Sequence, residues 1–309
     1  MGRVLVFGSL NMDLVTRTYR LPRAGETLLG SDFFTTPGGK GANQAVALAR
    51  LGIPTEMVGR VGKDGFGQEL LTSLQLAGVG TELIRVDPAT HSGVAVITVS
   101  ASGENQIIGV LGANGQMDVT DVDRMRPWLS QADALLLQLE VPVSVVKAAA
   151  KAAHEQGIRV ILDPAPVPAV AIAELYPLVD FLLPNEIEAG QLVGFPVHDR
   201  ETAAAAAVVL QEQGAQTVII KLGAQGVFCA TAEDGFFTPA FAVHAVDTVA
   251  AGDAFAGGLV AALVKGQDLH RAIAWGAAAG ALATTKMGAQ TAMPDRATFD
   301  AFLAERGVC

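Results

Sequence analysis

Short apolar, β-branched runs alternate along this chain with longer Ala-rich stretches whose apolar positions recur at helical spacing. RVLVFG, ALLLQLE, RVILDP, FLLPNE and TVIIKLG read as buried strands; GANQAVALARLG, SVVKAAAKAAHEQG and AAAAAVVLQEQG read as helices. Strands separated by helices form βαβ units, and so predict a mostly parallel sheet covered by helices on both faces. Gly52, Gly157 and Gly214 close helical stretches, where a left-handed residue ends a helix without steric cost.

Two stretches, Leu14 to Pro37 and Ser92 to Gly112, alternate with period two and carry turn residues but no helix. Pro22 to Gly25 and Ser100 to Gly103 supply the turns, so both read as hairpins. The expected organisation is a body of residues 1–13, 38–91 and 113–309, with residues 14–37 and 92–112 forming a small sheet that acts as a lid or an oligomer contact. The fold class is α/β, a three-layer α/β/α sandwich with a small β-sheet lid.

Composition narrows the functional range. Half of the 309 residues are hydrophobic, 17% are charged, and mean hydropathy is +0.39, enough for a sizeable core. Net charge is −10 and no Lys/Arg cluster occurs, which speaks against a nucleic-acid or basic membrane footprint. An anionic ligand would have to meet positive potential made locally. No run reaches the ~20 apolar residues of a membrane span, the apolar start is too short and interrupted for a secretory segment, and a cytoplasmic location is expected. Cys229 reads as a small buried hydrophobe and Cys309 as an incidental tail residue.

The stretch DTVAAGDAF, Asp247 to Phe255, places minimal side chains beside one carboxylate where a helical pattern begins. Helix N-termini carry unpaired N–H donors and a positive dipole end, a ready site for phosphate oxygens. Asp253 reads either as the helix N-cap or as a general base for a hydroxyl attacking a bound phosphoryl group.

Other stretches leave similar pairs of readings. TPGGKGANQA opens a second helix; Gly38 and Gly39 permit close backbone approach, and Lys40 and Asn43 lie about one turn apart, facing a polyhydroxylated ligand or serving as a Gly hinge with a solvated lysine. It is not a P-loop, because Gly39-Lys40 is followed by Gly41. Asn11 and Asp13 share one strand face, as sugar-binding groups or loop caps, and Glu140 closes a strand at the carboxyl end where open α/β sheets collect ligands. Asp163 reads as a turn former before Pro164. Asn185 and Glu188 suit a metal-water or phosphate contact, or a helix cap; Gly223 and Gly226 frame a turn for a flat ring or a plain strand connection.

GSLNMDL, GGKGANQA, LLQLE, PNE, LGAQG, DTVAAGDAF and KMGAQ, in this order and spacing from Val4 to Phe302, resemble the ribokinase/PfkB carbohydrate kinase family. The resemblance implies a ribokinase-like fold, ATP-dependent phosphorylation of D-ribose at O5, and a homodimer formed through the lid. It implies a sugar site of Asn11, Asp13, Gly38, Gly39, Lys40, Asn43 and Glu140, with Asp253 as base and the amides of Ala250, Ala251 and Gly252 as anion hole. Asn185, Lys221, Leu222, Gly223, Ala224, Gln225, Gly226, Gly252 and Asp253 would line the nucleotide site, with Glu188 organising Mg2+. K+ would bind at Asp247, Val249, Ala283, Lys286 and Gly288.

The chain departs from the pattern at Ala292, where a serine hydroxyl is usual, leaving Thr291 or water to complete a K+ site, and WGAAAG lacks an Asn often near the adenine. Rival readings are a kinase of the same family for deoxyribose, a hexose or a nucleoside, and a sugar-binding protein on the same fold. A dinucleotide oxidoreductase is disfavoured, since no G-x-G-x-x-G follows the first strand.

Overall fold

The computed structural model describes residues 2–308, so Cys309 lies outside the described residues. Strand β1 (Val4–Phe7) lies inside a nine-stranded sheet. On one side lie β4 (Thr55–Gly62) and β5 (Ile84–Asp87); on the other follow β8 (Ala134–Leu137), β9 (Arg159–Leu162), β10 (Phe181–Leu182) and β11 (Thr217–Lys221), all parallel. Only β12 (Gly226–Ala230) and β13 (Gly235–Pro239), at the far edge, run antiparallel.

Because strand side chains alternate faces, Val4 and Val6 enter one core while Leu5 and Phe7 enter the other. The first core packs against α1 (Lys40–Arg50), α2 (Gly65–Leu76), α7 (Ala251–Val264), α8 (Leu269–Thr284) and α9 (Arg296–Glu305). The second packs against α3 (Val119–Leu129), α4 (Val143–His154), α5 (Glu186–Val193) and α6 (Arg200–Glu212). The α/β/α sandwich read from the hydrophobic pattern is thus the observed fold. No helix among the described residues is long and apolar enough to cross a membrane. Cys229 is buried in β12, and burial pushes its thiol up to about 12.

The small sheet is separate, with strand order β3-β2-β6-β7. It comprises β2 (Asn11–Thr18), β3 (Asp32–Gly38), β6 (Gly93–Ser100) and β7 (Asn105–Val110). Strands β2 and β3 pair antiparallel, as do β6 and β7, while β2 and β6 run parallel across the middle.

The hydrophobic pattern did not disclose β4. Its sequence TEMVGRVG holds two glycines and an arginine, yet every residue is buried. A side chain at Gly59 would strike Leu10 Cδ1 at 2.4 Å, so the glycine is needed for strand-to-loop packing. The Arg60 guanidinium is met by Asp121 Oδ2 at 2.8 Å through Nε and by Asp118 Oδ1 at 3.0 Å, the pairing a buried charge requires.

Candidate active site

The site is built where strand ends and two helix starts converge, at the carboxyl edge of the parallel sheet around β1, from which the strand order runs outward in both directions, through β4 on one side and β8 on the other. Helix α7 begins with Ala250 as N-cap, at φ 57° and ψ 13°, with no side-chain cap. It is the one non-glycine residue at positive φ among the described residues. This αL turn costs about 1–2 kcal/mol in an L-residue and leaves the helix start bare. No acceptor is found for the amides of Ala250, Gly252 and Asp253, whereas Ala251 N donates weakly back to Thr248 O at 3.3 Å.

Asp253 is not the N-cap. It sits in the first turn with its carboxylate directed inward, 5% exposed. Asn43 Nδ2 donates to its Oδ2 at 2.9 Å and Gln44 Nε2 to its Oδ1 at 3.0 Å. Burial raises its pKa to about 6; Lys40 opposes that rise, Asp163 adds to it, and the two amide donors oppose it.

The acceptor side is assembled from β2, the start of α1 and the end of β8. Gly39, at φ 89°, has no room for a side chain, which would lie 2.7 Å from Asn11 N; one at Gly38 would lie 2.3 Å from Asp13 Oδ2. The glycines therefore let the α1 start lie flat against β2. Glu140 Oε2 accepts from Lys40 N at 3.0 Å, from Asn11 Nδ2 at 3.4 Å and from the Ser9 hydroxyl. Asp13 is raised to about 7, by burial first and then by the carboxylates of Glu140 and Asp253. Burial alone would lower the Lys40 ammonium, but the carboxylates of Asp253, Asp163, Glu140 and Glu188 outweigh it, so the lysine stays charged. Asn11, Asp13, Lys40, Asn43, Glu140 and Asp253 thus form one cluster.

Hydrogen bonds extend the cluster to residues that the sequence did not assign to the site. Asp163 is no mere turn former: it is 1% exposed, accepting from Gln44 Nε2 at 2.9 Å and from Lys221 Nζ at 2.9 Å. Gln44 Oε1 in turn accepts from Gln138 Nε2. Asn114 is completely buried; its Nδ2 donates to Asn11 Oδ1 at 2.8 Å and to Leu10 O at 3.0 Å, and its Oδ1 accepts from Leu10 N at 3.0 Å. A carboxylate closing an apolar strand one residue before Pro was the available sign for Asp163; the buried amides had none.

The other half of the cleft holds the expected nucleotide positions. Lys221 ends β11, and a side chain placed at Gly252 would lie 3.6 Å from its Nζ. Asn185 and Glu188 form a reciprocal capping box at α5, Asn185 Oδ1 accepting from Glu188 N and Glu188 Oε2 from Asn185 N, both at 2.8 Å. Burial raises Glu188, Lys221 opposes and Asp163 adds to the rise. Both readings of this pair are compatible here, because the box uses only one Glu188 oxygen. Gly223 to Gln225 form a 3-10 turn between β11 and β12, with Gly223 at φ 53° and Gly226 at φ 133°. Leu222 is buried beneath it, Ala224 is exposed on it, and Gln225 Nε2 donates to His198 O at 2.7 Å.

Among the described residues no group of three or more His, Cys, Asp or Glu side chains could cage a metal ion. A divalent ion here would take phosphate and water oxygens, with the free Glu188 oxygen as an outer contact. Asp247 joins two loops, its Oδ1 accepting from Val249 N at 3.0 Å and its Oδ2 from Gly288 N at 2.9 Å. Ala283 O receives Lys286 N at 3.4 Å in the same loop pair. Ala292 is buried, and the Thr291 hydroxyl donates to Met287 O at 3.2 Å within its own turn.

Comparison with known proteins agrees with this geometry. Residues 1–296 match the model for the pfkB family carbohydrate kinase. The chain is 40% identical to a ribokinase of Haemophilus influenzae over 291 residues, covering 94% of this chain and 95% of the relative. It is 36% identical to a deoxyribokinase of Salmonella typhi over 301 residues, covering 97% and 98%. The Arabidopsis thaliana ribokinase complexed with ribose and ATP superposes with a TM-score of 0.89 at 34% identity, covering 98% of this chain and 99% of that one. This chain belongs to the pfkB family of carbohydrate kinases and is a sugar kinase.

Proposed function

We propose that the chain is an ATP-dependent ribokinase that transfers the γ-phosphoryl group of ATP to O5 of D-ribose. The observation that carries the reading is a buried carboxylate, Asp253, anchored by Asn43 beside uncovered amides at the same helix start. Asn11, Asp13, Lys40 and Glu140 offer both donors and acceptors to the sugar hydroxyls, with Gly38 and Gly39 allowing close approach. The ribokinase complexed with ribose and ATP supports ribose as acceptor.

In the step itself, the Asp253 carboxylate takes the proton of the O5 hydroxyl as the O5–phosphorus bond forms. The bond from phosphorus to the β,γ-bridging oxygen breaks and ADP leaves. Charge spreading over the transferred oxygens is met by the amides of Ala250, Ala251 and Gly252, and by Lys221 beside Gly252. The Asn185 side and the turn from Lys221 to Gly226 receive the nucleotide. Glu188 would help to hold Mg2+ through its free oxygen, and the ion would supply neutralisation of phosphate charge. Asp247 and the backbone oxygens of Val249, Ala283, Lys286 and Gly288 would hold K+, whose positive charge would steady the α7 start. The small sheet acts as lid and as the contact of a homodimer, in the cytoplasm where ATP is available.

The deoxyribokinase relative supports 2-deoxyribose as a second acceptor. Initial rates of ADP release with Mg·ATP on D-ribose, 2-deoxyribose, fructose and adenosine, in K+ and in Na+, decide. Preference for ribose with faster turnover in K+ is expected; preference for another acceptor would overturn the substrate, and indifference to the cation would overturn the K+ site.

A further inference from the structure

Gln44 is wholly buried on the inner side of α1, beside the side chains of Asp253, Asp163 and Gln138. Every polar atom of its side chain is engaged. Its amide nitrogen donates to Asp253 Oδ1 at 3.0 Å and to Asp163 Oδ2 at 2.9 Å. Carboxylates only accept, so the nitrogen must face them and the oxygen must face away, where Gln138 Nε2 donates to it. The orientation of the amide is therefore fixed by its neighbours.

Two consequences follow for the catalytic carboxylate. Gln44 and Asn43 hold different oxygens of Asp253, so the carboxylate plane cannot rotate while both donors are present. Asp163, the other carboxylate on Gln44, receives Lys221 Nζ on its free oxygen at 2.9 Å, and that ammonium lies beside Gly252. A continuous chain thus runs from Asp253 through Gln44 and Asp163 to Lys221.

We propose that Gln44 is a positioning residue for phosphoryl transfer: it holds the Asp253 carboxylate in the orientation that accepts the sugar proton and ties it to the Lys221 ammonium on the phosphate side. The inference rests on the reading of Asp253 as general base. Gln138 acts one step further out, by holding Gln44.

The test uses wild type, Gln44→Leu, Gln44→Met and Gln138→Leu, with Asp253→Asn alongside, on D-ribose or whichever sugar the wild type phosphorylates best. Gln44→Met keeps the length and volume of the native side chain without adding charge and serves should Gln44→Leu not fold. The charged groups facing Asp253, namely Lys40 on α1, Asp163 after β9 and Asp13 on β2, are unchanged in all of these. Both Gln44 variants remove a hydrogen bond from the ionised base. The acid limb of kcat should then move to higher pH, and kcat should fall about tenfold or more, part of the ~10²–10⁴ a general base supplies. Sugar KM and the Kd for ADP should stay within about threefold, the pattern of an interaction made in the transition state. Gln138→Leu should move both readouts in the same direction by less.

A folded Gln44 variant with wild-type kcat and an unmoved acid limb, while Asp253→Asn is inactive, would overturn the positioning role alone. An active Asp253→Asn would overturn the base assignment and the inference with it.

Discussion

Asp253 combines two properties that rarely meet in one aspartate: near-complete burial and two donated hydrogen bonds on different oxygens. Burial raises its pKa to about 6, leaving it ionised at neutral pH but close enough to accept a proton efficiently. The sign is that of a carboxylate with a raised pKa: below about 6 it holds its proton and cannot act as base. The logarithm of kcat should therefore climb with pH up to about 6 and then level, a profile that a pH-jump-controlled ADP-release assay can record. A flat profile from pH 4.5 to 7.5, on the order of the range spanned by ordinary and raised carboxylates, would remove Asp253 from the rate-limiting step. Ala250 makes a second test at this scale. Its αL backbone suits Gly and is hostile to β-branched side chains. Ala250→Gly should keep kcat and stability, whereas Ala250→Val should lower stability by about 1–3 kcal/mol in urea unfolding and reduce kcat. The spacing of DTVAAGDAF made Asp253 visible, because the chemistry of phosphate binding requires bare backbone next to a base. Asp163 and Gln44 were not visible, because a strand-end Asp before Pro and a Gln on a helix have commonplace local explanations, and their partners lie 58 to 209 residues away in the chain.

At the scale of elements, the start of α1 and the start of β2 behave as one piece. Gly39 and Gly41 allow it, since a side chain at Gly41 would lie 2.7 Å from Ser9 N. Asn114 completes it from the chain leaving the small sheet, satisfying both backbone groups of Leu10 while holding the Asn11 amide. Asn114→Ala would leave those buried groups without partners, at about 1–3 kcal/mol each. The expected outcome is a lower Tm and a sugar KM raised about tenfold, with ADP affinity unchanged, since only the acceptor side is disturbed. Equal losses of sugar and ADP affinity would show a general loosening instead. Elements with a clean period were legible: β1, β8, β9 and β11 are short apolar runs, and α1, α4 and α6 carry helical spacing. Strand β4 was not, because its glycines and Arg60 answer to tertiary partners, and the Asn185 to Glu188 pair stayed ambiguous because one geometry serves capping and ligand contact alike.

For the whole molecule, the pairing register of the small sheet separates its two faces. Asn11 and Asp13 lie on one; Phe33, Val96, Ile108 and Val110 share the opposite face and are exposed by 61%, 42%, 67% and 42%. An apolar sheet face of this kind is what a second copy would cover. For the proposed homodimer, wild type should sediment as a dimer and Ile108→Lys as a monomer, with the residues of the site unaltered; a dimeric Ile108→Lys would place the contact elsewhere, and a monomeric wild type would overturn the dimer. The net charge of −10 also gives the local design its importance, since ATP approaches an acidic molecule and Lys40, Lys221 and the α7 amides supply positive potential at the site itself. The most direct test of the account compares wild type with Asp253→Asn in ADP release on D-ribose with Mg·ATP, with ADP affinity measured in parallel. A kcat loss of at least about 10²-fold with ADP affinity retained is predicted for removal of a general base. Comparable turnover by the Asn variant would contradict the central claim that this buried carboxylate takes the sugar proton.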